Sequence, residues 1–508
     1  MRAGVIDIGS NSIKLMIGER VEEKINILES LKNIVPLGKF TFFEERIPQN
    51  QINQIISVLE KYKMLLKQYD ITETMVIATT AVREARNRDI FIDAVHRKTG
   101  FPIEVLNVGD VVYYIDAYLS YKLKDTFPIH EKNVLIAELG AGSLDISVMR
   151  KGFTVMSIGM PIGTLMLKQF MNKLDGSMQE NIEAVKEHIA IEFAYLKRML
   201  PKIKIDDIIL IYEDHTYIQN IVSHEKRSAG FSQLTRDDSN KLLESLEGRG
   251  LDEISRTHKI PVDVSDTLGS YALILGMMFD LTENSYIFLL QTSLPEALLA
   301  NMLLKLELSE KYNKTNQLIS VATALCQRFD MDMNHVRQVA QLSKMLFDHL
   351  REHLSLNEPD ALYLILAAYL HDIGQFVHNR SHHKHSEYII SALNLFRLTD
   401  EEIKIIACVA RYHRRAAPNK AHLLYSSLPL EKKILVQKFS AILRIANALD
   451  RSHRQKVKTV SVKLGKAQEL TIVVATSENF VLEKAEFNEK KDLMEEITGS
   501  KVGLSVTG

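Results

Sequence analysis

Residues 5–17, "VIDIGSNSIKLMI", contain the first clear structural motif of the chain. An apolar run leads into a turn of small residues at 9–12, after which apolar residues alternate with others, a pattern typical of a β-hairpin. Asp7 lies where the first strand meets the turn. The small residues of the turn leave backbone N–H groups accessible to an anion. The stretch therefore predicts a strand-turn-strand unit that offers a phosphate site beside a carboxylate.

A second copy of this unit occurs later in the chain. The segment "IAELGAGSLDISV", residues 136–148, aligns with the first so that Asp7 pairs with Glu138, Gly9 with Gly140 and Ser12 with Ser143. An acid, a glycine and a serine at equal spacing indicate a duplicated fold, with one phosphate-compatible turn from each copy. The alternative is that two unrelated hairpins share ordinary turn residues.

Further strands and amphipathic helices follow each copy, so both are predicted to be mixed α/β. Residues 53–69 have helical spacing, and residues 74–87 form a short β-rich run that leads into a helix. In the second copy the best strand candidates are "DDIILIYEDH" (206–215) and "SYIFLLQTS" (285–293). The fold class expected for this half of the chain is therefore α/β.

The pattern changes from about residue 305, where apolar residues recur at spacings of three and four and indicate helices. After Asp450, residues 457–476 alternate like a hairpin with a Gly-Lys turn at 465–466. We therefore predict four domains: α/β lobes at 1–125 and 126–305, a helical domain at 306–455, and a small β-containing domain at 456–508.

Composition limits the partners and the location of the chain. Its 508 residues include 63 Lys and Arg against 64 Asp and Glu, so no overall field attracts nucleic acid, and any anion must bind at a local site. Only Cys326 and Cys408 occur, which excludes a disulfide framework and a cysteine-based zinc site. We found no signal-peptide core and no long apolar run, so we expect a cytoplasmic protein without a membrane partner.

Histidines are concentrated late in the chain, with eleven of the 17 at or after residue 335. His335 opens an amphipathic helix, His371 and Asp372 lie together in "LHDIG", and Asp450 ends "ILRIANALD". Two imidazoles and two carboxylates aimed at one centre would suit a divalent ion that polarises water.

More histidines lie close by in sequence, at His378, His382, His383, His385 and His413. The alternative to a ligand role for these residues, and above all for His382 and His383, is a hydrated or core-capping histidine.

Together these motifs resemble the exopolyphosphatase/guanosine pentaphosphate phosphohydrolase (Ppx/GppA) family. The matching pieces are "DIGSNS" (7–12), "ATTAVREARN" (78–87), "ELGAGS" (138–143), "GMPIGT" (159–164), "LHDIG" (370–374), "HHKHSEYII" (382–390), "YHRR" (412–415) and "ALDRS" (448–452). The resemblance implies two actin/hexokinase-like (ribonuclease H-like) lobes, an α-helical HD-like domain and a small β-containing C-terminal domain, usually in a homodimer. It also implies Mg²⁺-dependent cleavage of the terminal phosphoanhydride of polyphosphate or pppGpp.

The resemblance also assigns roles to individual residues. The phosphate-binding set would be Gly9, Ser10, Asn11, Ser12, Thr79, Gly140, Ala141, Gly142 and Ser143. Arg83 would supply a bidentate cation. Asp7 and Glu138 would hold Mg²⁺, with Glu138 in place of the family's aspartate. A second divalent ion would bind at the HD-type site formed by His335, His371, Asp372 and Asp450.

The chain departs from the family at the general base, a glutamate in a G-x-E-E-A-R motif. Aligning Gly109 with the motif's glycine places Val111 and Val112 where the glutamates belong. A valine cannot accept a proton, and general-base catalysis contributes roughly 10²- to 10⁴-fold.

Asp116 and Asp110 are the candidate substitutes for the missing glutamate. Asp110 is one or two residues out of register, which on a helix turns it about 100–200° from the expected face. Asp116 lies about one helical turn beyond, at a better angle but a greater distance.

Three functions stay open from the sequence. The first is hydrolysis of polyphosphate or pppGpp between the lobes. The second is a catalytically impaired protein that binds polyphosphate or a guanosine tetra- or pentaphosphate and reports it by closing. The third is metal-dependent phosphohydrolysis at the HD-type site.

Overall fold

A computed structural model describes residues 1–222, 227–228, 231–246, 249–306, 312–393, 395–414, 416–465 and 469–507. The chain divides into two compact units, Met1–Lys314 and Thr315–Gly508. This division is coarser than the four domains expected from the sequence, so the boundaries at 125, 305 and 455 stay predictions.

The first lobe is built on a five-stranded sheet. Its elements are β1 (Arg2–Ile8), β2 (Ser12–Val21), β3 (Lys24–Ile34), α1 (Gly38–Glu44), α2 (Gln49–Gln68), β4 (Glu73–Ala78), α3 (Thr80–Arg83), α4 (Arg88–Thr99), β5 (Glu104–Val105) and α5 (Val108–Lys122). The strand order is β3-β2-β1-β4-β5, with β1 antiparallel to β2 and parallel to β4. The predicted hairpin is therefore confirmed, and β1 is the central strand, buried along almost its whole length.

The second lobe is built on a seven-stranded sheet. Its elements are β6 (Asn133–Leu139), β7 (Leu144–Arg150), β8 (Phe153–Met160), α6 (Thr164–Met171), α7 (Met178–Met199), β9 (Asp207–Ile211), α8 (His215–Val222), β10 (Arg227–Ser228), β11 (Phe231–Thr235), α9 (Arg236–Leu246), α10 (Leu251–His258), α11 (Val262–Met278) and β12 (Tyr286–Leu290). Two helices cross between the lobes: α5 packs against β7 and β8, and α12 (Leu294–Leu304) packs against β1 and β2. The strand order is β10-β11-β12-β9-β6-β7-β8. Both strand candidates of this half, now β9 and β12, are confirmed.

The two sheets repeat one core pattern. In each, a central strand is antiparallel to the next strand and parallel to a later one: β1 to β2 and β4, and β6 to β7 and β9. Each turn is also closed by the same hydrogen bond, from Gly9 N to Ser12 O at 3.0 Å and from Gly140 N to Ser143 O at 2.9 Å. The duplication expected from the sequence is therefore present in the fold.

Helix α2 packs into the core of the first lobe and holds the turn at residues 9–12 in position. Its apolar side chains at spacings of three and four, including Ile52, Ile55 and Leu59, are buried in the core of the first lobe. Tyr62 of the same helix donates a hydrogen bond to the carbonyl oxygen of Ile13 at 3.0 Å. This contact ties the start of β2, and so the end of the turn, to the core.

The second unit is mainly helical. Its elements are α13 (Lys314–Arg328), which begins at the last residue of the first unit, α14 (Met333–Leu350), α15 (Ala361–Leu370), α16 (His382–Ser391), α17 (Asp400–Arg411), α18 (Leu423–Ser426), α19 (Leu430–Leu449), β13 (Thr459–Leu464), β14 (Glu469–Ala475), α20 (Val481–Lys490), α21 (Asp492–Thr498) and β15 (Lys501–Thr507). Among the described residues no helix is both long enough and apolar enough to span a lipid bilayer.

The end of the chain forms a small three-stranded sheet of order β13-β14-β15. Strands β13 and β14 are antiparallel, as the alternation predicts, whereas β15 is parallel to β14. The predicted Gly-Lys turn includes Lys466, which lies outside the described residues. Gln338 of α14 donates to the carbonyl oxygen of Val457 at 2.6 Å, so the segment that leads into this sheet is anchored to the helices.

Candidate functional site

A cleft lies between the two lobes of the first unit, where β1 and β6 end. Its empty volume is about 1070 Å³, including the part open to solvent. The lining includes all the cleft residues that the resemblance assigns to phosphate or Mg²⁺: Asp7, Gly9, Ser10, Asn11, Ser12, Thr79, Glu138, Gly140, Ala141, Gly142 and Ser143. The structure thus brings both turns of the duplicated fold to one space, although their roles there stay predictions.

The two turns approach each other closely. The hydroxyl of Ser143, in the second turn, lies 3.2 Å from that of Thr80 in the first lobe. A β-carbon built on Gly142 would lie 2.9 Å from Ser10 Oγ and 2.7 Å from the ring of Phe42. Glycine is therefore needed at position 142 for the turns to face each other at this distance.

Three carboxylates line the cleft with oxygens that have no hydrogen-bond partner. These atoms, each buried, are Asp7 Oδ1, Glu138 Oε2 and Asp145 Oδ1. Glu138 and Asp145 are directly opposite each other on β6 and β7. Unpaired carboxylate oxygens in a buried place are costly unless a cation or a proton meets them. This set of oxygens fits a hard divalent cation such as Mg²⁺.

The same three groups hold their protons more tightly than usual. Burial raises the pKa of Asp7 to about 6, although Lys14 opposes the shift. Burial, with repulsion from Asp145, raises the pKa of Glu138 to about 8. Burial also raises the pKa of Asp145 to about 6, against attraction by Arg83. Without a cation, part of this carboxylate set is therefore protonated at neutral pH.

One wall of the cleft carries ion pairs that sequence reasoning missed. Lys14 Nζ lies 2.7 Å from Glu213 Oε2 and 3.9 Å from Asp7 Oδ2, while Lys32 Nζ lies 3.7 Å from both Glu213 Oε1 and Asp214 Oδ1. Burial alone would lower the pKa of Lys14, but attraction by Glu213 and Asp7 raises it above its usual value. The strand register of the predicted hairpin could have indicated the contact between Lys14 and Asp7, because the two residues lie directly opposite each other.

Arg83 lies behind the cleft and is not part of its lining. Its Nη1 donates to the carbonyl oxygen of Leu106 at 2.9 Å, and its Nη2 donates to Thr80 Oγ1 at 3.3 Å. Thr80 does line the cleft. In this arrangement Arg83 supports a residue of the lining, and the bidentate phosphate contact expected for it stays a prediction.

Neither substitute for the missing glutamate faces the cleft. Asp116 is buried and accepts hydrogen bonds from Ser147 Oγ at 2.8 Å and Thr154 Oγ1 at 2.6 Å, on the side of β7 and β8. The side chain of Asp110 accepts from the backbone N–H of Asn107 at 3.3 Å and caps α5. These contacts place both carboxylates away from the cleft lining, where the α5 residue is Val111, and the role of either one as the base stays a prediction.

A second cluster of polar side chains lies inside the helical unit. Two groups of potential metal ligands share Asp372: one contains His335 and His371, and the other contains His382 and His413. Within each group the ligand atoms are all within 4.8 Å of one another, and all five residues are buried. The cluster gathers the start of α14, the end of α15, the start of α16 and the end of α17.

Each histidine of the cluster is oriented through its Nδ1 atom. The Nδ1 partners are Ala368 O for His371 at 2.7 Å, Asn379 O for His382 at 2.9 Å, Ala410 O for His413 at 2.6 Å and Asp450 Oδ2 for His335 at 2.9 Å. Because a carbonyl oxygen can only accept, Nδ1 is the donor in three of these rings, and Nε2 faces the centre. Metal-binding histidines are held in this way.

Asp450 is not placed as the sequence predicts. It lies on the Nδ1 side of His335, and its Oδ1 accepts from the backbone N–H of Gln455 at 2.8 Å. It therefore orients His335 and lies outside both groups of potential ligands. In contrast, His382 and His413, which could have been core-capping residues, point into the cluster.

Close packing fixes the elements that carry the cluster. Gly374 lies against α16, where a β-carbon on it would be 2.1 Å from the carbonyl oxygen of His382. Ser386 Oγ donates to the carbonyl oxygen of His371 at 2.7 Å. Arg444, buried in α19, donates to the carbonyl oxygen of Tyr412 at 2.9 Å and holds the residue before His413.

The charge states within the cluster favour neutral imidazoles around a carboxylate. Burial lowers the pKa of His371 and takes that of His413 well below its usual value. Burial would raise the pKa of Asp372, but attraction by His371 and a hydrogen bond from His382 take it well below its usual value. Neutral imidazole and ionised carboxylate are the forms that ligate metal ions.

The duplicated two-lobed sheets, with a phosphate-compatible turn from each lobe, define an actin-like α/β protein. The model of the Ppx/GppA phosphatase family matches residues 6–306, and the model of domain III of the Ppx/GppA phosphatases matches residues 319–496. The chain belongs to the Ppx/GppA phosphatase family, and this membership makes it a hydrolase.

Two curated relatives cover different shares of the chain. A guanosine-5'-triphosphate,3'-diphosphate pyrophosphatase of Vibrio vulnificus is 21% identical over 466 residues, which are 89% of this chain and 87% of that protein. A bifunctional 3-dehydroquinate synthase/phosphatase of Fusobacterium nucleatum is 30% identical over 196 residues, or 36% of this chain and 29% of that protein. The chain thus matches less than a third of the bifunctional protein's length.

Solved structures share the fold of part of the chain. A Ppx/GppA family member from Aquifex aeolicus is 23% identical, with a TM-score of 0.51, over 61% of this chain and 99% of its own. An exopolyphosphatase from Cytophaga hutchinsonii is 21% identical, with a TM-score of 0.53, over 60% of this chain and 98% of its own. The expected actin-like α/β fold is confirmed by these likenesses.

Proposed function

We propose that the chain hydrolyses the terminal phosphoanhydride of polyphosphate or pppGpp in the cleft of its first unit and releases orthophosphate. The observation that carries the proposal is the contact between the two turns beside three carboxylates with unpartnered oxygens. The substrate class is supported by relatives named as a pppGpp-type pyrophosphatase and an exopolyphosphatase.

Asp7, Glu138 and Asp145 are the residues that would hold Mg²⁺. Their unpartnered oxygens suit this ion, which supplies charge neutralisation to the phosphate when it is bound. Backbone N–H groups of both turns, with the Ser10 and Ser143 hydroxyls, orient the terminal phosphate. In hydrolysis the water oxygen bonds to the terminal phosphorus, the bridging P–O bond breaks with its electron pair moving to the oxygen of the shortened chain, the water gives up a proton to the products, and orthophosphate is released.

Lys14 and Lys32 add positive charge to the wall of the cleft. Both are paired with acidic residues, Glu213 for each and Asp214 for Lys32. A polyanion can displace exposed carboxylates from lysines, because phosphate oxygens are strong acceptors for an ammonium group. We therefore assign these lysines to the phosphates that follow the terminal one.

The test is orthophosphate release from polyphosphate and from pppGpp, measured separately with the purified full chain and Mg²⁺. We expect Mg²⁺-dependent release from at least one substrate, and a loss of about 10²-fold or more in Glu138→Gln, because oriented charge provides most of the acceleration of phosphoryl transfer. Glu131→Gln, an exposed change in the same lobe, is the matched control and should leave the rate unchanged. Absence of release from both substrates would contradict the proposal.

A second candidate function, binding without turnover, is favoured by one observation. The α5 residue in the cleft lining is Val111, one of the two positions at which the resemblance places the family's glutamates. In this case isothermal titration would show saturable, Mg²⁺-dependent binding of polyphosphate or pppGpp, with no orthophosphate released on the same timescale.

The homodimer expected from the family resemblance stays a prediction. Light scattering of the full chain tests it, since one chain has a mass of 57.9 kDa and a dimer has twice that mass.

A further inference from the structure

Glu213 enters the cleft at a position that the duplicated fold makes equivalent to Thr79. Two residues beyond the β4 partner of Asp7 the chain reaches Thr79, and two residues beyond the β9 partner of Glu138 it reaches Glu213. Both residues follow the carboxyl end of a parallel strand and line the cleft. In α/β sheets this end of the strands is where ligands bind. Each lobe therefore places one polar side chain in the cleft here, a hydroxyl from the first and a carboxylate from the second.

The acidic residues of the cleft fall into two sets. The described lining contains five of them, and three are buried with an unpartnered oxygen: Asp7, Glu138 and Asp145. These three are the residues proposed for Mg²⁺. The other two, Glu213 and Asp214, follow β9 and are paired with lysines. The second set is therefore available for a different role.

One lysine links Glu213 to the carboxylates proposed for Mg²⁺. Lys14 Nζ lies 2.7 Å from Glu213 Oε2 and 3.9 Å from Asp7 Oδ2. The charge of Glu213 also reaches Asp7 and Glu138: burial is the main cause of their raised pKa values, and repulsion from Glu213 adds to it. The side chain of Glu213 is 40% exposed and so accessible to water. It is thus a hydrated carboxylate, one side chain away from the proposed Mg²⁺ ligands.

We propose that Glu213 accepts the proton of the attacking water and so replaces the glutamate expected from the family resemblance. This inference rests on the hydrolysis proposed for the cleft. In the free protein Lys14 and Lys32 neutralise the carboxylate. A bound phosphate chain draws both lysines onto its oxygens, which are strong acceptors for ammonium groups. Substrate binding therefore frees Glu213 to accept a hydrogen bond from water.

The proton transfer completes the hydrolysis step. As the water oxygen bonds to the terminal phosphorus, one water proton moves to the Glu213 carboxylate, and the electron pair of the breaking P–O bond stays on the oxygen of the shortened chain. Glu213 then releases this proton to solvent. Burial would raise the pKa of Glu213, but attraction by Lys14 and Lys32 lowers it below its usual value, which makes Glu213 a weaker base than an unpaired glutamate. We expect it to contribute about tenfold, below the usual range of roughly 10²- to 10⁴-fold for a general base.

The first measurement is kcat and KM for orthophosphate release from polyphosphate and from pppGpp. Glu213→Gln should lower kcat by about tenfold without raising KM, because glutamine competes less with phosphate for Lys14 and Lys32. Sodium formate should restore part of kcat to Glu213→Ala, since the exposed position admits a small carboxylate. Glu183 provides the matched controls, because it is also an exposed glutamate paired with a lysine, 3.3 Å from Lys186 Nζ, and lies outside the cleft lining. Glu183→Gln and Glu183→Ala should keep the wild-type kcat and show no response to formate.

A second base in the cleft provides an independent comparison. Val111→Glu supplies another proton acceptor, so adding Glu213→Gln to it should cost less than about twofold, because the two carboxylates would do the same task. A tenfold loss in both backgrounds, an unchanged kcat in Glu213→Gln, a change in KM alone or the absence of formate rescue would overturn the assignment of Glu213. Release by Val111→Glu with none by the wild type would also overturn it, while keeping the cleft as the site of hydrolysis. No release by either protein would contradict the proposed function, and the role of Glu213 with it.

Discussion

Val111 is the residue at which we predict that turnover is limited in this chain. It lines the cleft on α5, so a glutamate there would reach the space where the terminal phosphate is held. We expect Val111→Glu to raise orthophosphate release by about 10²- to 10⁴-fold, the usual contribution of a general base. Val111→Gln is the matched control, because glutamine has nearly the same size as glutamate but cannot accept the proton. An equal gain in both variants, or no gain in a folded Val111→Glu, would mean that the position does not limit the reaction.

Asp116 contributes a pH-dependent loss of stability. Burial raises its pKa to about 7, although hydrogen bonds from Thr154 and Ser147 partly oppose the shift. The folded state therefore binds this proton more tightly than the unfolded state, so stability falls as pH rises from about 4 to about 7. Asp116→Asn removes this slope. In urea unfolding, the variant should match the wild type at about pH 4, exceed it increasingly as the pH rises, and exceed it by a few kcal/mol at pH 8, on the order of the free-energy equivalent of the shift.

The same variant tests whether Asp116 acts as the base. Because both oxygens of Asp116 accept hydrogen bonds from Ser147 and Thr154, Asp116→Asn should leave orthophosphate release close to that of the wild type. A folded variant that loses most of its turnover would restore Asp116 as the base.

At the scale of elements, the contact between the two turns depends on Gly142. A β-carbon there would lie 2.7 Å from the Phe42 ring and 2.9 Å from Ser10 Oγ, so Gly142→Ala must push the turns apart. We expect Mg²⁺-dependent orthophosphate release to fall by about tenfold or more, since small misplacements of reacting groups are costly. Gly140→Ala is the matched control, because its β-carbon would meet only Ser143 O at 3.5 Å. Equal rates in the two variants would mean that the approach of the turns does not matter for the reaction.

The sequence predicts well the elements that depend on residues close together in the chain. It misses contacts that depend on how distant strands pair and on how side chains are oriented around a helix. The hairpin and its copy follow from alternation and turn residues over about a dozen positions. The pairing of Lys14 with Glu213 joins the first hairpin to the second residue after β9, a sequence separation that no local pattern spans. On a helix, an alignment error of one residue changes the direction of a side chain by about 100°. Spacing alone therefore could not predict which way Asp110 and Asp116 point.

The helical unit gives the same lesson for metal ligands. Order along the chain correctly places His335, His371 and Asp372 in one cluster. Order along the chain does not reveal which ring nitrogen of His335 contacts Asp450. Because the contact is with Nδ1, the Asp450 carboxylate lies outside the cluster and not at its centre. His382 and His413 join the cluster through the packing of α16 and α17 on the preceding segment. The packing of α16 depends on the close approach of Gly374, which no pattern in the sequence indicates.

For the whole molecule, we predict that the buried carboxylates of the cleft make Mg²⁺ binding depend on pH. The pKa is about 6 for Asp7 and Asp145 and about 8 for Glu138, so a bound cation must displace protons at neutral pH. Mg²⁺ affinity should therefore rise with pH between about 6 and 8, because protonated carboxyl groups are poor ligands. Isothermal titration in buffers of different ionisation enthalpy should detect proton release at pH 7, with less release in Glu138→Gln. An affinity that does not change over this range would mean that Mg²⁺ binds without these three carboxylates.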